Sequence, residues 1–360
     1  DRLNEVSEKT LLIGGANDLQ YEPETGYAKS QGYEPAREEV IENAGHFCNA
    51  DQPGVFNGHV LTFLGEPGAS DVVLFPDPKL EAAIREAIEK PDGDIYVWDL
   101  EGLTSLSAWG KGIENLEGLE YCRNLTSLYL GYDYSISLSN QIKDISVLAG
   151  LTALTELDLG YNDIGDISAI AALTQLTELN LSSNNIDDND IRVLSELNGL
   201  TELYLSSNQI SDISPLASLD SLTELSLSSN QISDISPLAS LISLTELDLS
   251  SNQISDISPL ASLISLTELS LDWNQITDIS PLASLDSLTE LSLDWTQISD
   301  ISPLASLISL TRLYLSENQI EDISALASLT SLTRLSLYNN QISDISPLAS
   351  LDSLRWLHLS

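Results

Sequence analysis

Methionine is missing from all 360 residues, position 1 included, and no apolar leader opens the chain. Such a chain reads as a mature product whose export signal has been removed or left out. Only two cysteines occur, Cys48 and Cys122. That excludes a disulfide framework or a cysteine-based zinc site and leaves two readings: one bridge tying the amino-terminal segment to the first repeats, or two buried thiols. His46, His59 and His358 are the only histidines, and no serine lies in a nucleophile-elbow context. Nothing here points to catalysis, so a non-enzyme is expected. Positive charge is also scarce: 14 Lys and Arg against 55 Asp and Glu leave a net charge of -41. A chain this acidic repels phosphate backbones and anionic lipid, which excludes nucleic acid as a main partner. No apolar run approaches the roughly 18 residues of a membrane span.

What the chain has in abundance is leucine at fixed intervals. The motif Leu-x-x-Leu-x-Leu-x-x-Asn-x-Ile begins at Leu103 and returns at Leu125, Leu154, Leu176 and Leu200, then every 22 residues from Leu222 to Leu354. This gives eleven full units and the start of a twelfth. A period in this range with this spacing marks a leucine-rich-repeat solenoid of α/β class. In the unit LTELSLSSNQISDISPLASLIS (222–243), Thr-Glu-Leu-Ser-Leu alternates outward and inward as a half-buried strand does. Stacked units form a parallel sheet with strands about 4.8 Å apart. Asn230 sits where its amide can bond neighbouring turns, and Ser236-Pro237 opens at most one turn of helix, giving a thin convex side.

Three segments follow. Residues 1–74 lack the period and read as a loop-rich segment of unknown role, with a short helix over residues 35–43 and an Asn-Gly hairpin within residues 55–61. Residues 75–102 read as a helical cap: Asp77-Pro78 starts a helix, Leu80, Ala83, Ile84, Ala87 and Ile88 give it an apolar stripe, and Pro91-Asp92-Gly93 stops it. Residues 103–360 are the solenoid.

The units reading NQISDISPLASLxSLTEL, preceded by FPDPKLEAAIREAIEKPDGDI, resemble the internalin-like leucine-rich repeats of bacterial surface proteins. The resemblance covers about residues 75–360. It implies a secreted or cell-surface protein that uses its concave sheet face to bind a protein or carbohydrate partner, often in adhesion. Some features depart from the pattern. Residues 1–74 are not accounted for, seven residues are inserted around Asp133, Thr296 replaces a ladder asparagine, and Ser360 falls within a unit. That last feature suggests further protein or another subunit over the final repeat, and with it a competing role as a self-assembling subunit of a surface layer or filament.

The outward third position reads Glu156, Glu178, Glu202, Glu224, Glu246, Glu268 and Glu290, then Arg312, Arg334 and Trp356. A strip of glutamates one strand apart is either a solvated face or a docking strip for a basic surface or divalent ions. Past the sign change, Arg312, Arg334 and Arg355 are accompanied by Trp273, Trp295, Tyr314, Tyr338, Trp356 and His358 at outward or rim positions, with Asp272 and Asp294 preceding the two tryptophans. These aromatics either cover one another or form the binding surface, since exposed aromatics and arginine favour interfaces. The aspartates of Ser-Asp-Ile-Ser (Asp212, Asp234, Asp256, Asp278, Asp300, Asp344) are expected to bond local amides, with a column of calcium sites as the lesser alternative.

Overall fold

The computed structural model describes residues 72–133, 135 and 137–359 in full, and the backbone of Leu11–Gly15 and Arg37–Ile41. The chain divides into two compact units, Asp1–Leu106 with Glu117–Leu125, and Ser107–Leu116 with Thr126–Ser360.

In the first unit, Leu11–Gly15 (β1) and Arg37–Ile41 (β2) pair in parallel, Leu11 opposite Arg37. This corrects the helix expected over residues 35–43. So short a helix is marginal by itself, and an aligned strand supplies its backbone bonds instead. The hairpin expected within residues 55–61 lies outside the described residues. The cap helix α1, Pro78–Ala87, begins as its sequence demands, with the Asp77 carboxylate accepting the Lys79 N–H at 2.8 Å. Its inner face is Leu80, Ala83 and Ile84. Ala87 is exposed and Ile88 half-buried, because the helix ends before the Pro-Asp-Gly stop, with Glu89 left-handed at φ 54°. Arg85 ties down that exit, donating to the carbonyls of Lys90 and Gly93 at 3.2 and 2.8 Å. A second short helix, α2, Val97–Leu100, follows. Cys122 is a free, buried thiol, and burial pushes its pKa up to about 12. Cys48 lies outside the described residues.

The second unit is the solenoid. Its three-residue strands, from Ser127–Tyr129 (β4) to Trp356–His358 (β14), lie in chain order in one sheet of twelve whose first strand is Ser105–Ser107 (β3). The register is parallel and unbroken from β4 (Ser127–Tyr129) onward, with each third-position residue opposite the next. On the convex side each regular unit makes a five-residue 3-10 turn such as Ser236–Ser240, where proline follows the opening serine, a place that Ala325 takes in Ser324–Ser328. Leucines and isoleucines of successive layers bury one another completely: Leu222, Leu225, Leu227, Ile232, Leu238 and Leu241 are all at most 1% exposed. No layer could do this alone.

A buried asparagine column satisfies the backbone where strands turn. Asn230 donates to the carbonyls of Leu205 in the preceding layer and Leu227 in its own, both at 3.0 Å, and accepts the Ile210 N–H at 3.1 Å. The pattern repeats from Asn140 to Asn340 with one break. Thr296 donates to Leu293 O at 3.0 Å and to Asn318 Oδ1 at 2.7 Å. It offers Ile276 no counterpart to the amide oxygens that accept the N–H groups of Ile254 and Ile298.

Candidate functional site

The third position of each repeat unit, which opens its strand, projects from the concave face, so the register aligns Glu156 through Glu290 in one column that continues as Arg312, Arg334 and Trp356. Packing side by side on adjacent strands has an electrostatic cost. The Glu178 and Glu246 carboxyls are pushed above the usual range, first by burial and then by neighbouring glutamates. Over this column opens a trough of about 450 Å³, running from Tyr204 to Tyr314 with Glu224, Glu246, Asp248 and Glu268 on its walls. The Tyr204 hydroxyl donates to Glu202 Oε2 at 2.9 Å. Burial, then the bonds to Glu224 and Glu202, drives its pKa far above the ordinary phenol value.

Arg312 closes the acidic column. Its Nη2 pairs with Glu290 and reaches Glu268 Oε1 at 3.4 Å. Beyond it lies a second hollow of about 640 Å³, lined by Tyr314, Thr333, Arg334, Arg355 and Trp356. Trp356 is 45% exposed there. Next to it, the His358 ring stacks on Tyr338 with centroids 4.8 Å apart and meets Trp356 at 5.8 Å.

Trp273 and Trp295 stand apart from this group. They occupy the left-handed turn position after their strands, at φ 55° and 56°, the same conformation as Ser229 and Ser251 in neighbouring layers. The turn, costing roughly 1–2 kcal/mol per non-glycine residue, sets their direction. Their rings stack at 4.4 Å and 12°, so they cover one another in part while staying 55% and 45% exposed. Neither lines the trough or the second hollow. The preceding aspartates are bound into the scaffold: Asp272 accepts Ser292 Oγ–H at 2.6 Å and the Asp294 N–H at 2.7 Å, and Asp294 accepts the Ser316 N–H. Burial raises the pKa of both. The structure thus divides the sequence-predicted set into a hollow (Tyr314, Arg334, Arg355, Trp356), an adjoining ring pair (Tyr338, His358) and a separate tryptophan stack on the rim.

Some residues on these surfaces were not anticipated. Tyr204 and Asp248 share the fifth-position column with Tyr314, and comparing that column across units would have exposed them. Far along the same face, Trp109 donates its indole N–H to Asp158 Oδ2 at 3.0 Å and packs on Tyr129, whose hydroxyl donates to Glu156. Gly131 is required there, since a Cβ would lie 2.6 Å from the Asp158 carboxylate. The rim aspartates act as expected on local amides: Asp234 and Asp256 accept the N–H of Ser236 and Ser258 at 2.8 Å, which lowers their pKa. Among the described residues no group of three or more His, Cys, Asp or Glu is placed to hold a metal ion, and no helix is long and apolar enough to cross a membrane.

A profile described as Leucine Rich repeats (2 copies) matches successive stretches from residues 135–172 to residues 308–350. The solved structure of an internalin from Listeria monocytogenes is similar over 79% of this chain and 95% of its own, with 37% identity and a TM-score of 0.67. Internalin H of the same species is 45% identical over 60 residues, which is 16% of this chain and only 11% of that protein. The plant peptide hormone receptor RGFR1, solved in complex with RGF2, shares 26% identity over 69% of this chain and 41% of its own, with a TM-score of 0.60.

Proposed function

The chain belongs to the internalin-like leucine-rich-repeat family, and from that premise we propose that it is a secreted or cell-surface recognition protein that captures a protein partner on its concave face. The hollow between Tyr314 and Trp356 is the anchor and the glutamate trough beside it steers the approach. One observation carries this reading: large aromatic and arginine side chains stand around a hollow on the sheet face, where most other layers place glutamate and serine. Keeping such rings in water has a cost that a partner recovers by covering them. A protein partner is favoured over a carbohydrate because a solved relative on this fold, RGFR1, was captured with a peptide hormone.

The test is capture on an array of extracellular proteins and glycans. Tyr314→Ala with Trp356→Ala is expected to abolish capture, whereas Trp273→Ala with Trp295→Ala, outside the hollow, is expected to weaken it by no more than about threefold, within the range of rim contacts. Undiminished capture by the Tyr314/Trp356 variant, with an unchanged circular dichroism spectrum, would refute the assignment.

A further inference from the structure

We propose that the hollow between Tyr314 and Trp356 is a carboxylate receptor, and that the partner lies on the concave face as an extended peptide segment. Its acidic group sits at Arg334 and Arg355, and its basic residues lie over Glu268, Glu246 and Glu224. This inference rests on the concave-face reading above and adds the chemistry and direction of the ligand.

Positive charge is scarce in this chain. With 14 Lys and Arg against 55 Asp and Glu, any guanidinium could find a carboxylate partner. Arg312 does so, spending its charge on Glu290 and Glu268. Arg334 and Arg355 do not: among the described residues neither guanidinium makes a hydrogen bond or ion pair, and both line the same hollow. Arg334 also lies opposite Arg312 on the adjacent strand, a like-charge neighbour that disfavours it. Arg355 replaces the threonine whose hydroxyl, in the layers before it, bonds the preceding layer's carbonyl, as Thr333 does to Thr311 O at 2.9 Å. Both arginines therefore give up local stability to hold free charge at one place. Paired guanidinium forks match a carboxylate in shape and charge. The flanking Tyr314 and Trp356 rings, in about 640 Å³, leave room for the residue that bears it.

Charge also decides the kind of ligand. A net charge of -41 and the neighbouring glutamates repel a polyanion. Tyr314 walls both the hollow and the acidic trough, so a chain anchored at the arginines runs directly over carboxylates. A segment acidic at one end and basic further along fits both. Five strand steps separate Arg334 from Glu224, about 24 Å at 4.8 Å per step, which an extended peptide of roughly seven or eight residues spans.

Fluorescence anisotropy of the full chain with three labelled octapeptides tests this. All three carry lysines in the amino-terminal half: one ends in a free carboxylate, one is amidated, and one is amidated with a penultimate aspartate. At least one acid-bearing peptide is expected to bind ten or more times tighter than the plain amide, and which one does so identifies a terminal or a side-chain carboxylate. Arg334→Gln with Arg355→Gln is expected to erase that preference, so that all three peptides bind the variant alike. Equal binding of all three, a preference that survives the double variant, or no binding at millimolar peptide each overturns the inference. If acid makes no difference but Tyr314→Ala with Trp356→Ala still abolishes partner capture, the concave-face reading stands and only the carboxylate assignment fails.

Discussion

The two halves of the concave face share one backbone and differ only in what they display. From Glu224 to Glu290 the column is acidic, lies over a trough and has neighbouring carboxylates pushing one another's protons on. From Arg312 to Trp356 it is cationic and aromatic, yet the strand register continues without a shift. Interior columns fix the fold in both halves, so the outward columns are free to carry a difference in chemistry. That separation explains how a repetitive sequence can hold a local site.

Asn230→Ala removes a buried amide that bonds two layers, and about 3 kcal/mol of stability should be lost through unsatisfied backbone groups. Asn340→Ala, in the half-buried ladder position of the cationic half, should cost visibly less by thermal denaturation. Equal losses would mean that burial of the amide does not set what each rung of the ladder contributes. Next comes binding: Tyr314→Ala with Trp356→Ala should abolish partner capture, a loss of affinity of at least about 2 kcal/mol, roughly 30-fold. Glu224→Gln with Glu246→Gln should mainly slow association and flatten its salt dependence. Surface plasmon resonance at two ionic strengths separates these outcomes.

Where the halves join, Thr296→Asn should restore an acceptor for the Ile276 N–H and stabilise the fold by about 1 kcal/mol, measured by chemical denaturation. The smallest effect belongs to the acidic column. Glu246→Gln should stabilise by about 0.5 kcal/mol at low salt and neutral pH, by relieving like charges on adjacent strands. The Glu246 pKa is raised in the folded chain, so the folded state favours its protonated form. Its unfavourable contribution is present at neutral pH and vanishes as pH falls through the raised value and below the ordinary glutamate range. The advantage of the glutamine variant should disappear over the same interval.

Much of this architecture was legible because leucine spacing dictates register. Once Leu222, Leu225 and Leu227 point inward, Glu224 and Ser226 must point outward, and the same logic placed Arg334 and Trp356 on the face. The cap helix start was readable from Asp77-Pro78, but not its end, because the left-handed turn at Glu89 carries no glycine to announce it. The same blindness affected Trp273 and Trp295. Their positive φ comes from the repeating turn, so the sequence showed two aromatics near the rim but not that they would stack apart from the hollow. The Trp109–Asp158 bond joins residues 49 apart across the repeat that carries the insertion around Asp133, where spacing gives no register to follow. The form of Arg37–Ile41 is not legible locally, because a partner strand distant in sequence, not local propensity, determines it.

The layers between residues 222 and 309 are close copies of one another. Unequal recombination within the gene could therefore delete or duplicate 22 residues and leave a seamless protein. Each event would slide the arginines by one rung, about 4.8 Å, relative to the far end of the glutamates. Reach would thus evolve in whole increments, matching partners whose charges lie nearer or farther apart, with no new contact needing to be invented.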